Sequence, residues 1–331
     1  MILFLSDWRE DYQDPIFYAF KKTYGEEVVI WPDKPNYFEP TQNYLNCHYN
    51  LTRTPATKED IWAANKINNI KAIFVISSGY AIGEQWDLAK ALKRERPSIP
   101  IIIIDGADGD RLQLPNDEWD LYFDREFNNG PLRHEPEHYP DYQRQAKLLG
   151  KNPDRVYPLP FCIIPEKFSE NKEPHNYTRD VFFKGIDSKQ RTKYLEGINI
   201  PNSLIDIHSH TPIHLQNREE FFNLIRTSKI NLNISGGGLD CMRFWELLGA
   251  GGFVLTERHN QVIEPPFIDG IHLDRFSSKE EMLDKITYYL KHSEIRETIR
   301  QASYKFAMEN HTCFNRLEYI ISKLKENGWT I

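Results

Sequence analysis

The 331 residues hold only four cysteines, Cys47, Cys162, Cys241 and Cys313, and no two of them form a C-x-x-C pair. No histidine stands at a zinc-like spacing from them. The pattern therefore excludes a zinc finger and a disulfide framework, and fits reduced thiols in a cytosolic protein. Long apolar runs are missing as well: none approaches the roughly 18 residues of a membrane-spanning helix. The chain begins directly on strand-forming residues, Ile2 to Leu5, without a signal-peptide pattern. A soluble, cytoplasmic protein is expected, and any membrane contact would be peripheral, through what it acts on. Basic charge is also scarce, with 41 Lys and Arg against 48 Asp and Glu and a net charge of −7. That balance excludes a general grip on nucleic-acid phosphates.

Several nucleotide and catalytic signatures are absent too. There is no G-x-x-x-x-G-K-[ST]. A G-x-G-x-x-G beginning at Gly236 would need glycine where Cys241 stands, and the first strand runs into Ser6-Asp7-Trp8-Arg9 without a glycine. No Ser-His-Asp or Cys-His elbow supports a hydrolase. Asp105-Gly-Ala-Asp108-Gly-Asp110 has the look of a cation loop, but Asn116 takes the place of the closing glutamate of an EF-hand. No metal site and no cofactor are expected.

What is present is ample apolar material, 40% of the chain with 13% aromatic, enough for two packed domains of about 150 residues each. Short apolar runs alternate with helical patterns, the mark of parallel α/β sheets. In the first half strands are expected at Ile2–Leu5, Glu27–Trp31, Ala72–Ser77, Ile101–Asp105 and Leu121–Phe123, with helices at Lys58–Lys66 and Glu84–Arg94. In the second half strands are expected at Asp180–Phe183, Ser203–Ile207, Ile230–Ile234, Phe253–Thr256 and Ile271–Leu273. The helices there are Glu219–Arg226, Met242–Leu248, Lys279–His292, Glu294–Met308 and Phe314–Glu326. Phe127–Tyr142 reads as an irregular loop. The segment from Val156 to Pro174, with four prolines, reads as the interdomain connection. Domains are thus expected at 1–155 and 156–331, with terminal helices able to pack back on the first.

The richest stretch runs from Lys229 to Arg258. It reads as a strand, a glycine turn (Gly236, Gly237, Gly238), a helix from about Asp240 to Leu248, a second glycine turn and another strand. Glycines permit a tight turn and close approach of a ligand, and the helix N-terminus beyond would favour phosphate. Arg243 and Glu246, three apart, share one helix face. A cation and a carboxylate beside a phosphate cradle suggest a nucleotide site, although such turns also occur where nothing binds.

These residues carry a resemblance. Asp180-Val-Phe-Phe-Lys184-Gly185 with Arg191, the block Arg243-Phe-Trp-Glu246-Leu-Leu-Gly-Ala-Gly251, the run from Ser277 to Leu290, and His311-Thr312 with Arg316 occur in order. Together they resemble the nucleotide-sugar glycosyltransferases of GT-B architecture, most nearly the spore-maturation-type "glycosyl transferases group 1" set. The resemblance covers about residues 155–320; before that only fragments such as Tyr122-Phe-Asp-Arg-Glu126 resemble it. It implies two Rossmann-like α/β domains facing across a cleft, and a sugar moved from a nucleoside-diphosphate donor to an acceptor that stays unidentified: glycan, lipid, protein or small molecule. Many retaining relatives carry two glutamates eight positions apart; Glu246 matches the second, but Gly238 stands at the first.

On that reading Glu246 accepts the ribose hydroxyls, and Ser235 to Gly238 with Asp240 surround the diphosphate. Arg243 pairs with the diphosphate or with Glu246. Lys184, beside Gly185, and Arg191 neutralise the leaving phosphate or are solvated surface charges. Asp105 and Asp108 are the candidates for a general base on the acceptor, against ordinary turn chemistry. His208 and His210 end a strand, and His311 fits a capping or core role. The alternatives are a sugar-nucleotide epimerase or a phosphorylase on the same scaffold, or a non-catalytic sugar-nucleotide or glycan-binding subunit.

Overall fold

The computed structural model describes residues 1–6, 14–34, 51–77, 83–108, 119–128, 153–168, 176–208 and 218–331. Trp8, Arg9, Cys47, Asp110, Asn116, His210 and most of the expected loop after Phe127 lie outside the described residues.

The chain divides into two compact units. The first comprises Met1–Phe161, Asn260–Val262 and Cys313–Ile331, and the second Cys162–His259 and Ile263–Thr312. In the first unit six strands, β1 (Ile2–Ser6), β2 (Val28–Trp31), β3 (Ala72–Ser77), β4 (Ile101–Asp105), β5 (Leu121–Asp124) and β6 (Val156–Pro158), form one sheet in the order β2-β1-β3-β4-β5-β6. Every neighbouring pair is parallel. Parallel strands need covered faces, which is why these read as continuous apolar runs. Leu3, Leu5, Ile73, Val75, Ile101 and Ile103 build the core on one face. On the other, Phe4 stacks on Phe74 at 4.8 Å and meets Phe17 and Phe20 edge-on. Phe17 and Phe20 belong to helix α1 (Asp14–Tyr24).

Helix α2 (Lys58–Lys66) starts in a capping box, Thr57 accepting from the Asp60 N–H and Asp60 accepting from the Thr57 N–H. Helix α3 (Gly83–Glu95) buries Trp86, Leu88, Ala89 and Leu92. The segment expected to be connector begins instead with β6, an edge strand paired with β5 from Tyr122↔Val156 to Asp124↔Pro158. Proline is tolerated there because an edge leaves one side of the ladder open.

The second unit holds β7 (Arg179–Ile186), helix α4 (Lys189–Leu195), β8 (Leu204–His208), helix α5 (Arg218–Arg226), β9 (Ser228–Asn233), helix α6 (Met242–Gly249), β10 (Val254–Glu257) and β11 (Asp274–Phe276). Its five parallel strands lie in the order β11-β10-β9-β7-β8. Helices α7 (Lys279–Lys291) and α8 (Ser293–Asn310) follow. The last strand differs from expectation. Ile271 sits half exposed in a turn closed by the Ile271 N–H to Ile268, and Asp274–Phe276 pairs with Leu255–Glu257 instead.

The final helix, α9 (Cys313–Glu326), belongs to the first unit. Its Phe314 meets Tyr18 of α1, and its Tyr319 meets Phe123 of β5. Arg316, buried, donates to the carbonyls of Pro160 and Phe161 at 3.2 and 3.3 Å. The His-Thr-x-x-x-Arg block is therefore an anchoring device, with His311 buried against Trp245 and Phe267 in the second unit.

Candidate functional site

The strand order of the second unit reverses between β7 and β9, and open α/β sheets bind ligands outside the carboxyl ends of their strands at such a point. β7 pairs with β9 only as far as Phe182↔Asn231 but follows β8 to Ile186↔His208. Past Phe182, therefore, β7 and the chain leaving β9 part. Two arginines bridge the gap. Arg243 donates to the carbonyls of Lys184 (2.8 Å) and Ile234 (3.4 Å). Arg191 donates to Ile234 (3.2 Å) and Ile186 (2.5 Å). Both guanidinium carbons lie over the Phe183 ring, at 4.4 and 5.9 Å.

Local sequence explains each placement. Arg191 stands three residues past Ser188, whose hydroxyl accepts its N–H and starts α4. Arg243 lies in the first turn of α6, seven of whose eight residues are buried. Gly185 and Gly236 make room. A Cβ on Gly236 would stand 2.7 Å from Arg191 Nη2, and one on Gly185 would strike the Arg243 guanidinium. These glycines are needed first by the protein's own arginines. Gly237 is exposed and Gly238 buried in the same turn.

The electrostatics are unusual. Both arginines are more than nine-tenths buried. Among the described residues their partners are backbone carbonyls, the Cys241 sulfur and an aromatic ring; none is a carboxylate. Among the same residues the Arg243 Nε has no hydrogen-bond partner. Burial, and then the neighbouring Arg191 charge, pull the Arg243 pKa down to about 10. Two buried like charges without a counter-ion are costly alone and become favourable when an anion arrives.

The other residues expected here have separate fates. Glu246 is buried one turn beyond Arg243 on α6. Asp240 accepts from Trp245 Nε1 at 2.8 Å, fixing the approach to α6. Helix α6 itself begins at Met242, the expected first residue, with Cys241 as N-cap, and Cys241 makes no side-chain cap bond. Ser235 donates through its N–H and its hydroxyl to Glu257, at 3.2 and 3.3 Å, and Gln190 also donates to Glu257. Lys184 stands 3.8 Å from Asp206 across the β7–β8 ladder. Glu257 was not among the expected site residues. The signal for it was a charge at the end of an apolar run, Val254-Leu-Thr-Glu257.

In the first unit the ends of β4 and β5 gather Asp105, Asp124, Arg125 and Glu126, all buried, with Asp108 exposed beside them. Asp105 accepts from the Ala107 N–H (2.9 Å) and from the Tyr122 hydroxyl. Asp108 pairs with Arg125, whose guanidinium also lies 3.3 Å from Glu126. Asp124 is set opposite Asp105 in the ladder and accepts the Glu126 N–H, while its Oδ2 is buried without a hydrogen-bond partner among the described residues. Burial, then the Asp105 charge, hold the Asp124 carboxyl well above the usual range. Among the described residues no group of three or more His, Cys, Asp or Glu is placed to hold a metal ion. No described helix is long and apolar enough to cross a membrane.

Comparison with known proteins agrees with this architecture. Residues 205–322 match the model of a family described as glycosyl transferase-like. No curated protein matches the chain. Among solved structures, Anabaena Alr3699/HepE in complex with UDP is 9% identical at a TM-score of 0.62, covering 98% of this chain and 99% of that one. The same Anabaena protein in complex with UDP-glucose is 10% identical at 0.58, with the same coverage. A glycosyltransferase from Rickettsia africae is 10% identical at 0.58, covering 98% of both chains. The fold is GT-B, two Rossmann-like α/β domains.

Proposed function

We propose that this GT-B glycosyltransferase takes a nucleoside-diphosphate sugar as donor and passes the sugar to an acceptor hydroxyl or other nucleophile without needing a metal ion. The observation that carries the reading is the pair of buried guanidiniums, Arg191 and Arg243, with no carboxylate partner among the described residues, at the carboxyl ends of β7 and β9. The departing diphosphate would complete them. Fixed positive charge aimed where negative charge develops stabilises the transition state without reorganisation, and two guanidiniums supply what a divalent cation would otherwise bring. Glu246, on the same helix as Arg243, would accept the ribose hydroxyls; Lys184 would stand at the edge of the site. That the Anabaena structures hold UDP and UDP-glucose makes the uridine nucleotides the first to test.

The acceptor would be served by the first unit, where Asp108, exposed, and the buried Asp105 stand as candidates for the base that takes the acceptor proton. Asp124 joins them on structural grounds, since its free oxygen and raised proton affinity suit a group that binds and releases a proton.

Calorimetry with uridine, UMP, UDP and UDP-glucose tests the donor reading. Affinity should rise steeply between UMP and UDP, because the second phosphate adds charged hydrogen bonds worth about 1.5–3 kcal/mol each. Equal affinities for UMP and UDP, or no binding of either, would overturn it.

A further inference from the structure

We propose that Cys241 is a covalent modification site that exchanges with small anionic disulfides, glutathione disulfide being the probe, and that the adduct blocks the anion site. Of the three described cysteines, Cys162 and Cys313 are buried, and only Cys241 is partly exposed. It stands at the N-cap of α6 without a cap bond, where the usual residues are Ser, Thr, Asp or Asn. Its sulfur therefore serves no helix-starting purpose. Arg191 Nη2 donates to that sulfur at 3.8 Å, and the thiol lies 4.0 Å from the Gly238 carbonyl.

A second, independent feature points to a ligand at the same place: the Arg243 Nε, in a residue only 6% exposed, has no hydrogen-bond partner among the described residues. The sulfur of a partly exposed residue thus touches one of two guanidiniums that lack a described carboxylate partner, and the other has a donor to spare. A disulfide bearing carboxylates would concentrate there.

The chemistry is balanced without a further oxidant. The Cys241 sulfur, giving up its proton, attacks one sulfur of the disulfide. A new S–S bond forms to Cys241, the original one breaks, and the second half leaves as a thiol carrying the proton. A reducing thiol reverses the reaction. The attached tripeptide would place its carboxylates against Arg191 and Arg243 and exclude the diphosphate; this consequence rests on the donor reading above, whereas the modification itself does not.

The test is to treat the protein with glutathione disulfide, map all four cysteines by peptide mass spectrometry, and measure UDP and pyrophosphate affinity before and after. Cys241 should be modified about tenfold or more faster than any other cysteine, with the excess lost at high salt. Pyrophosphate should slow the reaction, the adduct should lower anion affinity, and dithiothreitol should restore it. C241S should remove both the adduct and the loss, whatever its starting affinity. Equal modification of the other cysteines, or an adduct at Cys241 that leaves anion affinity unchanged, overturns the proposal. Selective, salt-sensitive modification in a protein that binds pyrophosphate but not UDP supports it and sinks the nucleotide donor instead.

Discussion

Arg243→Met separates a ligand-binding guanidinium from a structural one. Methionine keeps the stem over Phe183 but removes the charge and the donors to the Lys184 and Ile234 carbonyls. Two terms oppose each other in the free protein. Removing a buried cation whose pKa is pulled down to about 10 by burial and by the Arg191 charge relieves on the order of 3 kcal/mol at about 1.4 kcal/mol per unit. Leaving the Lys184 carbonyl without its donor costs about 1–3 kcal/mol, while Ile234 still has Arg191. The remainder is near zero, so the melting temperature of the free variant should stay within about 4 °C of the parent. In the complex nothing offsets the loss. One or two charged hydrogen bonds to the diphosphate, about 1.5–3 kcal/mol each, should weaken UDP roughly tenfold to more than a hundredfold. Calorimetry with UDP and a thermal melt of the same preparation decide it. A variant that melts many degrees lower yet binds UDP as tightly as the parent would show that Arg243 only joins two strands, and the reasoning fails.

Other predictions follow the same geometry. Glu246→Ala should fold normally and lose roughly tenfold to a hundredfold in UDP affinity, the worth of a charged hydrogen bond to ribose; unchanged affinity in calorimetry would remove Glu246 from the site. UDP-glucose affinity should be the same in excess EDTA and in magnesium, and a requirement for the metal would refute the guanidinium account of diphosphate binding. Asp124→Asn should stabilise the protein most at neutral pH. The folded pKa of Asp124 is raised, so its favourable contribution is complete below the ordinary carboxylate value and is lost as pH rises toward the folded value. The melting-temperature gain should therefore grow from about pH 4 to pH 7, and parallel curves for variant and parent would contradict the assignment.

The sequence by itself determined the layered α/β plan. Ile101-Ile-Ile-Ile104 is apolar on both faces, and only a strand covered twice wants that. Helix starts were equally legible, since Thr57 with Asp60 and Ser278 with Glu281 are local, and capping is a local interaction. Strand choice near the chain's prolines was not. Ile271-His-Leu273 has more strand character than Asp274-Arg-Phe276, yet the β10 edge pairs with the latter, and Val156–Pro158 joins a sheet because β5 offers an open edge. Pairing partners distant in sequence overrule local preference.

The candidate site divides along the same line. Arg243, Glu246 and the glycines could be read together because they share one turn and one helix. Only the tertiary structure brought Arg191 against Gly236 and Cys241, and showed that two strands part at their ends and leave carbonyls for two guanidiniums to bridge. It alone placed Asp124 opposite Asp105 with an oxygen left over. Burial, a missing counter-ion and an unsatisfied donor are properties of what surrounds a residue, and that surrounding is assembled from strands and helices far apart in the chain.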